Sequence, residues 1–417
     1  MSEFSDDCFA HGGALLSIDE ALARFRTRVA PVAETETLAL FAADGRVLAE
    51  PVVAAVAIPP FTNAAVDGYA LRHADLALAT ADGLRVVDRV QAGEAPGRAV
   101  GPGEAVRLFT GAPLPAGADT VCMQEDVVVD GDRIRLSSHL RPGANCRPVG
   151  EERQLGAIVL PAGRRLRPQD LALAAAAGAG HVVARRRLRV AVFSTGDELV
   201  EPGRPLAAAR LYDANRVMIL AWAARLGAQV DDLGILPDDP EVLAAALAAA
   251  VDHDLIVTSG GVSAGDADHV KAAVARVGRI DFWRFAIKPG KPLALGTIGT
   301  AAFVGLPGNP VAVFVTLTRI ARGLFAARAG ETWAPPIPLP VVADFTMSRK
   351  PGRTEFLRVS LTGDGEGLPI ARRYAVDGAG IVSSLTETDG LVELGPDLTA
   401  VAPGDRLAFV PFAALLG

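Results

Sequence analysis

Apolar and polar positions follow different periods in successive stretches of the chain. From Ser17 the spacing predicts a helix to about Val29, with Ser17 as N-cap and Glu20 as its capping-box partner. Residues 38–57 read as an extended segment with one short turn. Between 58 and 150 the pattern is all-β: short runs at 83–90, 106–109, 120–123, 126–129 and 133–136 alternate with Gly, Pro and Asp turns. Asp130-Gly131 marks a two-residue hairpin. Residues 166–178 are apolar and helical, with Pro168 near the start and Gly178 as a stop.

The period changes again at residue 188. A continuous apolar run over 188–193 predicts a buried parallel strand. Helices at 214–226, 240–250 and 268–277 then alternate with strands at 230–235 and 255–258. Short strands near 280–286, 293–296 and 302–306 precede a long helix over 310–327. This alternation predicts a doubly wound α/β domain over 188–330. The proline-rich stretch 334–340 reads as a stiff linker, and 341–417 as a small β-domain. No internal repeat is visible.

Composition narrows the function classes. Aromatics make up 5% of the 417 residues, so the cores rest on Ala, Val and Leu. A net charge of -7 argues against nucleic acid as a partner. The mean hydropathy is +0.30, yet the apolar stretches 171–177 and 242–251 fall short of the roughly 20 residues that span a bilayer. No membrane partner and no secretory signal are expected. Cys8, Cys122 and Cys146 show neither metal-ligand spacing nor a disulfide framework, so a reduced, cytoplasmic protein is the expectation. The six histidines show no ligand spacing either, and no Gly-x-Ser-x-Gly elbow is present.

Ligands of open α/β sheets bind beyond the carboxyl ends of the strands. Four polar turns fall there: Ser194-Thr195-Gly196-Asp197-Glu198, Pro237-Asp238-Asp239-Pro240, the stretch 259–268 beginning Ser259-Gly260-Gly261-Val262-Ser263, and Leu306-Pro307-Gly308-Asn309-Pro310. Each alone reads equally well as a turn. The third combines glycines with a following helix and suits an anion, although no Walker lysine follows. Asp238, Asp266, Asp268 and Glu198 would repel a bare phosphate unless a cation such as Mg²⁺ mediated. Helix capping by Asp239, Asp266 and Asp268 is the competing reading. Lys288-Pro289-Gly290-Lys291-Pro292 holds two of only four lysines on a stiffened turn, which suits an oxyanion. Arg353, in Gly352-Arg353-Thr354-Glu355, is a further oxyanion candidate.

These motifs, with Pro59-Pro60-Phe61 through Val66-Asp67-Gly68-Tyr69-Ala70, Thr110-Gly111-Ala112-Pro113 and Tyr212-Asp213-Ala214-Asn215, resemble the molybdopterin molybdenumtransferase family, which includes MoeA and the gephyrin E-domain. The resemblance runs from about residue 15 to the C-terminus. It implies an elongated homodimer of four-domain chains. A split domain I (15–57 and 151–187) would mediate dimerisation, and a β-rich insert (58–150) would face the partner's cleft. An α/β molybdopterin-binding domain (188–330) and a C-terminal β-barrel (335–417) would follow.

The resemblance also implies the chemistry: molybdate enters the dithiolene of adenylylated molybdopterin, AMP leaves, and Mg²⁺ assists. Lys288, Lys291, Arg353 and Ser384 match molybdate-binding positions. Asp67, Thr110, Glu198, Asp238 and Asp268 match catalytic positions. Thr195, Gly196, Ser259, Gly260, Gly261, Ser263, Pro307, Gly308, Asn309 and Pro310 fall on the loops for the nucleotide ligand, and Asp238, Asp266 and Asp268 are the expected Mg²⁺ ligands. Substrate handover from a molybdopterin adenylyltransferase and to molybdoenzymes is a further implication. Three positions depart from the family pattern: Glu152 stands for Asp, Asp389 for Asn and Arg284 for Lys. A non-turnover scaffold of the same fold, an adenylyltransferase and a tungstate-inserting enzyme are the alternatives.

Overall fold

The computed structural model of the chain describes residues 17–27, 29–137, 139–262, 269–290, 292–363 and 367–416. Its first element is the helix Ile18–Arg26, capped as its sequence requires. Glu20 Oε2 accepts the Ser17 backbone N–H at 3.0 Å, and Ser17 Oγ accepts the Glu20 N–H at 3.2 Å.

The chain then builds half of a unit, leaves it, and returns. Strand Thr35–Ala39 pairs antiparallel with His181–Arg185, and Val52–Val53 with Ile158–Leu160. Leu48, Val52, Leu160, Leu166 and Ala174 from both halves share one core. The helix Pro168–Ala176 closes it, with Pro168 in its first turn and Gly178 at φ +87° after its end.

The excursion between the halves is a six-stranded sheet. It contains a strand, Gly68–Leu71, and a short helix, Leu76–Ala81, that the pattern does not announce. The strand is buried at every position, so it lacks the alternation of a half-exposed strand. It lies between Glu104–Leu108 and Thr120–Met123. The backbones approach so closely that a Cβ on Gly68 would lie 1.9 Å from the Cys122 carbonyl oxygen. The expected hairpin forms one residue later in the chain: Asp130 pairs with Arg133, so the turn is Gly131-Asp132, with Gly131 at φ +61°.

The α/β unit has a six-stranded sheet. Gln229–Leu236, Arg189–Thr195, Leu255–Ser259 and Ala301–Leu306 run parallel in that order. Pro292–Ile298 and Gly278–Arg284 extend one edge antiparallel. Alternate residues of Arg189–Thr195 enter separate cores. Val190 and Val192 join Ile219, Trp222 and Phe325, while Ala191 and Phe193 join Leu243, Leu247, Val270 and Val274. Helices therefore cover both faces, the doubly wound arrangement.

Two expectations need correction. The helix Pro310–Ala329 is 20 residues long and apolar enough to cross a membrane by length and composition, which the sequence pattern was not expected to contain. Its apolar stretch is 83% buried inside the protein, so core packing accounts for its composition. Its middle, Leu317–Ala321, is a π-helical turn. The proline-rich linker is also shorter than expected, because strand Leu339–Ala343 begins inside it and Pro340 pairs with Ala408.

The last unit is a closed five-stranded barrel of Leu339–Ala343, Thr354–Thr362, Ile370–Arg373, Gly390–Leu394 and Arg406–Pro411. One short strand of the α/β unit, Ile287–Lys288, adds to it by pairing parallel with Thr354 and Glu355. This pairing carries Lys288 to the junction of the two units.

Candidate functional site

Three of the four expected turns, the first, second and fourth, are described at one edge of the α/β sheet, along with the start, 259–262, of the third. They are bound together by buried and part-buried polar contacts. The Thr195 hydroxyl donates to Asp238 Oδ1. Asn215 Nδ2 donates to Ser259 Oγ at 2.9 Å and to the Gly308 carbonyl at 2.7 Å. Asn215 thus ties the first turn of helix Ala214–Arg225 to two other loops. Its Oδ1 has no hydrogen-bond partner among the described residues.

Backbone approach explains Gly260, and close side chains crowd the other two glycines. Gly260 has φ +92°, and a Cβ on it would lie 2.2 Å from the Thr195 carbonyl oxygen. A Cβ on Gly261 would lie 2.5 Å from Val270 Cγ2, and one on Gly196 would lie 2.7 Å from Glu198 Oε2. Thr195, Ser259 and Pro307 are buried, Asp238 is half-buried, and Glu198, Gly308 and Asn309 are exposed. Pro310 starts the long helix, and Val311 N–H donates to the Ala379 carbonyl at 2.9 Å, which brings the barrel's 378–380 loop to this edge. Ser263, Asp266 and Asp268 lie outside the described residues. Among the described residues, no group of three or more His, Cys, Asp or Glu side chains is placed to hold a metal ion.

The second cluster sits where the α/β unit meets the barrel. Lys288 Nζ lies 2.6 Å from Glu355 Oε1, and Arg349 Nε lies 3.1 Å from Glu355 Oε2. Glu355 is 5% exposed, so its buried charge has a cation on each oxygen. Lys288, Arg349, Lys350 and Arg353 line an open cavity of about 520 Å³ in which Glu355 is the one acidic lining residue among the described ones. Lys291 lies outside the described residues. Ser384 is fully buried, with its hydroxyl donating to the Ile381 carbonyl at 2.5 Å, and it is not among the residues lining this cavity.

The third cluster is on the β insert. Asp67 Oδ1 accepts the Thr110 backbone N–H at 2.8 Å and the Thr110 hydroxyl at 2.7 Å. The N–H first, and then the hydroxyl, hold the Asp67 carboxyl below the usual carboxylate range. Beside it, the Arg107 guanidinium lies over the Tyr69 ring at 4.9 Å and the Phe109 ring at 5.0 Å.

One of the departures has a local side-chain role. Asp389 Oδ2 accepts the Leu361 N–H at 2.7 Å, so this carboxylate fastens two barrel strands. Glu152 is exposed, its backbone N–H donates to Ile58 O at 2.9 Å whatever the side chain, and nothing in the structure explains the change from Asp. The Arg284 side chain lies outside the described set. Sequence reasoning assigned no site role to Asn215, Arg349, Glu355 or Arg358. All four sit inside or beside motifs it singled out, but burial and cross-unit pairing carry no local signal.

A doubly wound sheet whose loops meet at one edge, joined to a β-rich insert and a closed barrel, defines a multidomain α/β protein of the class that binds ligands beyond the carboxyl ends of its strands. Three family models match in order: the MoeA N-terminal region (domain I and II) over 16–178, the probable molybdopterin binding domain over 191–327, and the MoeA C-terminal region (domain IV) over 340–412. The chain belongs to the MoeA family, whose curated relatives are molybdopterin molybdenumtransferases. It is 37% identical to the molybdopterin molybdenumtransferase of Haemophilus influenzae, over 97% of this chain and 100% of that protein. It is 34% identical to molybdopterin molybdenumtransferase 2 of Mycobacterium tuberculosis, over 89% and 93% of the two chains. The crystal structure of the molybdopterin biosynthesis moeA protein from Pyrococcus horikoshii superposes with a TM-score of 0.81 at 29% identity, covering 95% of this chain and 100% of that one.

Proposed function

We propose that this protein is a transferase of molybdenum cofactor biosynthesis that inserts molybdate into adenylylated molybdopterin and releases AMP. Besides family membership, the observation that carries this reading is the cationic cavity at the junction, lined by Lys288, Arg349, Lys350 and Arg353. A tetrahedral dianion that sheds its water needs charged donors in exchange, and guanidinium and ammonium groups supply them. Lys288 is the adjustable member: its side chain is 54% exposed, and its attraction to Glu355 is screened by solvent. Lys291 follows three residues later and is assigned to the same oxyanion. Ser384 enters the reading only if its buried hydroxyl is released from Ile381.

The sheet-edge loops take the nucleotide-bearing pterin. Thr195, Gly196, Ser259, Gly260, Gly261 and the 307–310 turn offer backbone groups at close range, the property that recognition of a phosphate or ring edge needs. Glu198, Asp238 and Asp268 are the assigned catalytic carboxylates. Mg²⁺ fits the oxygen chemistry of Asp238, which the Thr195 hydroxyl orients, together with Asp266 and Asp268. When bound, the cation neutralises phosphate charge. Asp67, held ionised by Thr110, is assigned to a partner's cleft in a homodimer. The exposed apolar pair Val53 and Ile158, directly opposite each other on paired strands, supports an association surface on the split unit. The cytoplasm, substrate supply by an adenylyltransferase and delivery to molybdoenzymes complete the reading.

The test incubates purified protein with adenylylated molybdopterin, Mg²⁺ and molybdate and follows AMP. Molybdate-dependent AMP release is expected. Stable binding of both ligands without AMP would make the protein a scaffold. Paired titration of Lys291→Ala with molybdate and with the nucleotide ligand then assigns the lysine, since a loss confined to molybdate is expected.

A further inference from the structure

A second cavity, of about 240 Å³, shares Lys288 and Glu355 with the first and extends along the barrel strand Thr354–Thr362 to the loop at 377–379. Its charged lining residues are Lys288, Glu355, Arg358, Arg373 and Asp377. Both acids already have cations. Glu355 holds Lys288 and Arg349, and Asp377 is paired with Arg373. Arg358 is different. It is 8% exposed and has no carboxylate in contact among the described residues. The one described hydrogen bond of its guanidinium runs from a terminal nitrogen to the Val376 carbonyl at 3.2 Å, and its buried Nε has no partner among the described residues.

A buried guanidinium without a matching anion is costly to the fold. Burial is also the leading cause that lowers the Arg358 pKa, with Asp377 and Tyr374 opposing that shift and Arg373 adding to it. A chain of this length has many apolar ways to fill that position. An arginine kept there with donors unmet, in a cavity wide enough for a tetrahedral oxyanion, points to a ligand that completes its hydrogen bonding.

We propose that Arg358 is a further anion-binding residue of this protein, whose guanidinium takes a tetrahedral dianionic oxyanion in the second cavity beside Lys288. The inference rests on the molybdate-insertion reading for the identity of the physiological anion. Free molybdate and the phosphate group of the pterin ligand share the chemistry that this guanidinium recognises. The Lys288–Glu355 pair separates this cavity from the one lined by Arg353, so an anion entering on either side competes with Glu355 for the same ammonium.

Calorimetric titration of the full-length protein with inorganic molybdate, and separately with AMP as a phosphate monoester, tests this with Arg358→Met and Arg358→Lys. The methionine variant is expected to bind oxyanion about tenfold to a hundredfold more weakly. Arg358→Lys is expected to recover part of that loss. The thermal midpoint of Arg358→Met is expected to stay level or rise, since a buried group with unmet donors is removed. A loss confined to molybdate identifies the free oxyanion as the occupant, and a loss for AMP identifies a phosphate. Unchanged affinity for both anions in a folded Arg358→Met overturns the proposal, as does a lowered midpoint with unchanged affinity, which would mark a packing role. If Lys288→Ala loses molybdate while Arg358→Met keeps it, the insertion reading stands and this inference fails. If wild-type protein binds AMP through Arg358 but never binds molybdate, the inference stands and the insertion reading fails.

Discussion

The sheet-edge loops and the barrel junction are built in opposite ways. The loops are shaped by backbone: Gly260 permits an approach to the Thr195 carbonyl that no side chain allows, Gly261 takes a positive φ against Val270, and Asn215 bridges two of the loops. The junction is shaped by long charged side chains, with Lys288, Arg349 and Glu355 meeting across two units. A backbone-built site is rigid and fails through the fold when altered. A side-chain-built site can lose charge and keep its scaffold. The two together suit a reaction that must hold one large ligand in register and admit a small anion beside it.

The largest effect is expected at Gly260. Gly260→Ala places a Cβ against the Thr195 carbonyl at a positive φ, so unfolding free energy should fall by about 2–4 kcal/mol, with ligand binding lost in parallel. Denaturant titration beside AMP-release assays measures both. A fully stable Gly260→Ala would remove the backbone half of the contrast.

Asn215→Ala should come next. It removes one buried and one part-buried hydrogen bond and leaves the Ser259 hydroxyl and Gly308 carbonyl to find other partners, at about 1–3 kcal/mol. Hydrogen exchange at the 259–262 and 306–310 backbone should accelerate in both loops together. Acceleration in one loop alone would mean that the bridge does not couple them.

Lys288→Ala probes the other half. Molybdate affinity should fall about tenfold to a hundredfold, while the unfolding free energy moves by less than about 1 kcal/mol, because the ammonium is half exposed and Arg349 still holds Glu355. A large stability loss would show that the junction depends on its charges for folding.

The smallest effect belongs to the insert. Thr110→Ala removes the hydroxyl donor and keeps the backbone N–H, so the Asp67 pKa should rise only part of the way to its ordinary value. A depressed folded-state pKa stabilises the fold above the ordinary carboxylate range, and that stabilisation is lost as pH falls through the folded value. The variant should therefore lose it at a less acidic pH. Carboxyl NMR titration reads the shift directly, and an Asp67 pKa identical in both proteins would deny the hydroxyl any part.

Much of this architecture was legible in the chain. The capping box at Ser17 and Glu20, the alternation of strands and helices after residue 188, and glycines where the backbone needs them are local facts, so local sequence determines them. The lysine-bearing turn was visible for the same reason, because its prolines and its rarity are written in the sequence. The fully buried strand Gly68–Leu71 was not, since uniform burial erases the alternation that marks a strand. Tertiary structure alone decided the rest. Strand Ile287–Lys288 joins a barrel whose partner strand lies more than sixty positions later, and that pairing sets Lys288 against Glu355. Tertiary packing also buries Arg358 without a carboxylate in contact among the described residues. Burial and the Lys288–Glu355 pairing depend on which distant segments meet, and no short window along the chain contains both of those partners.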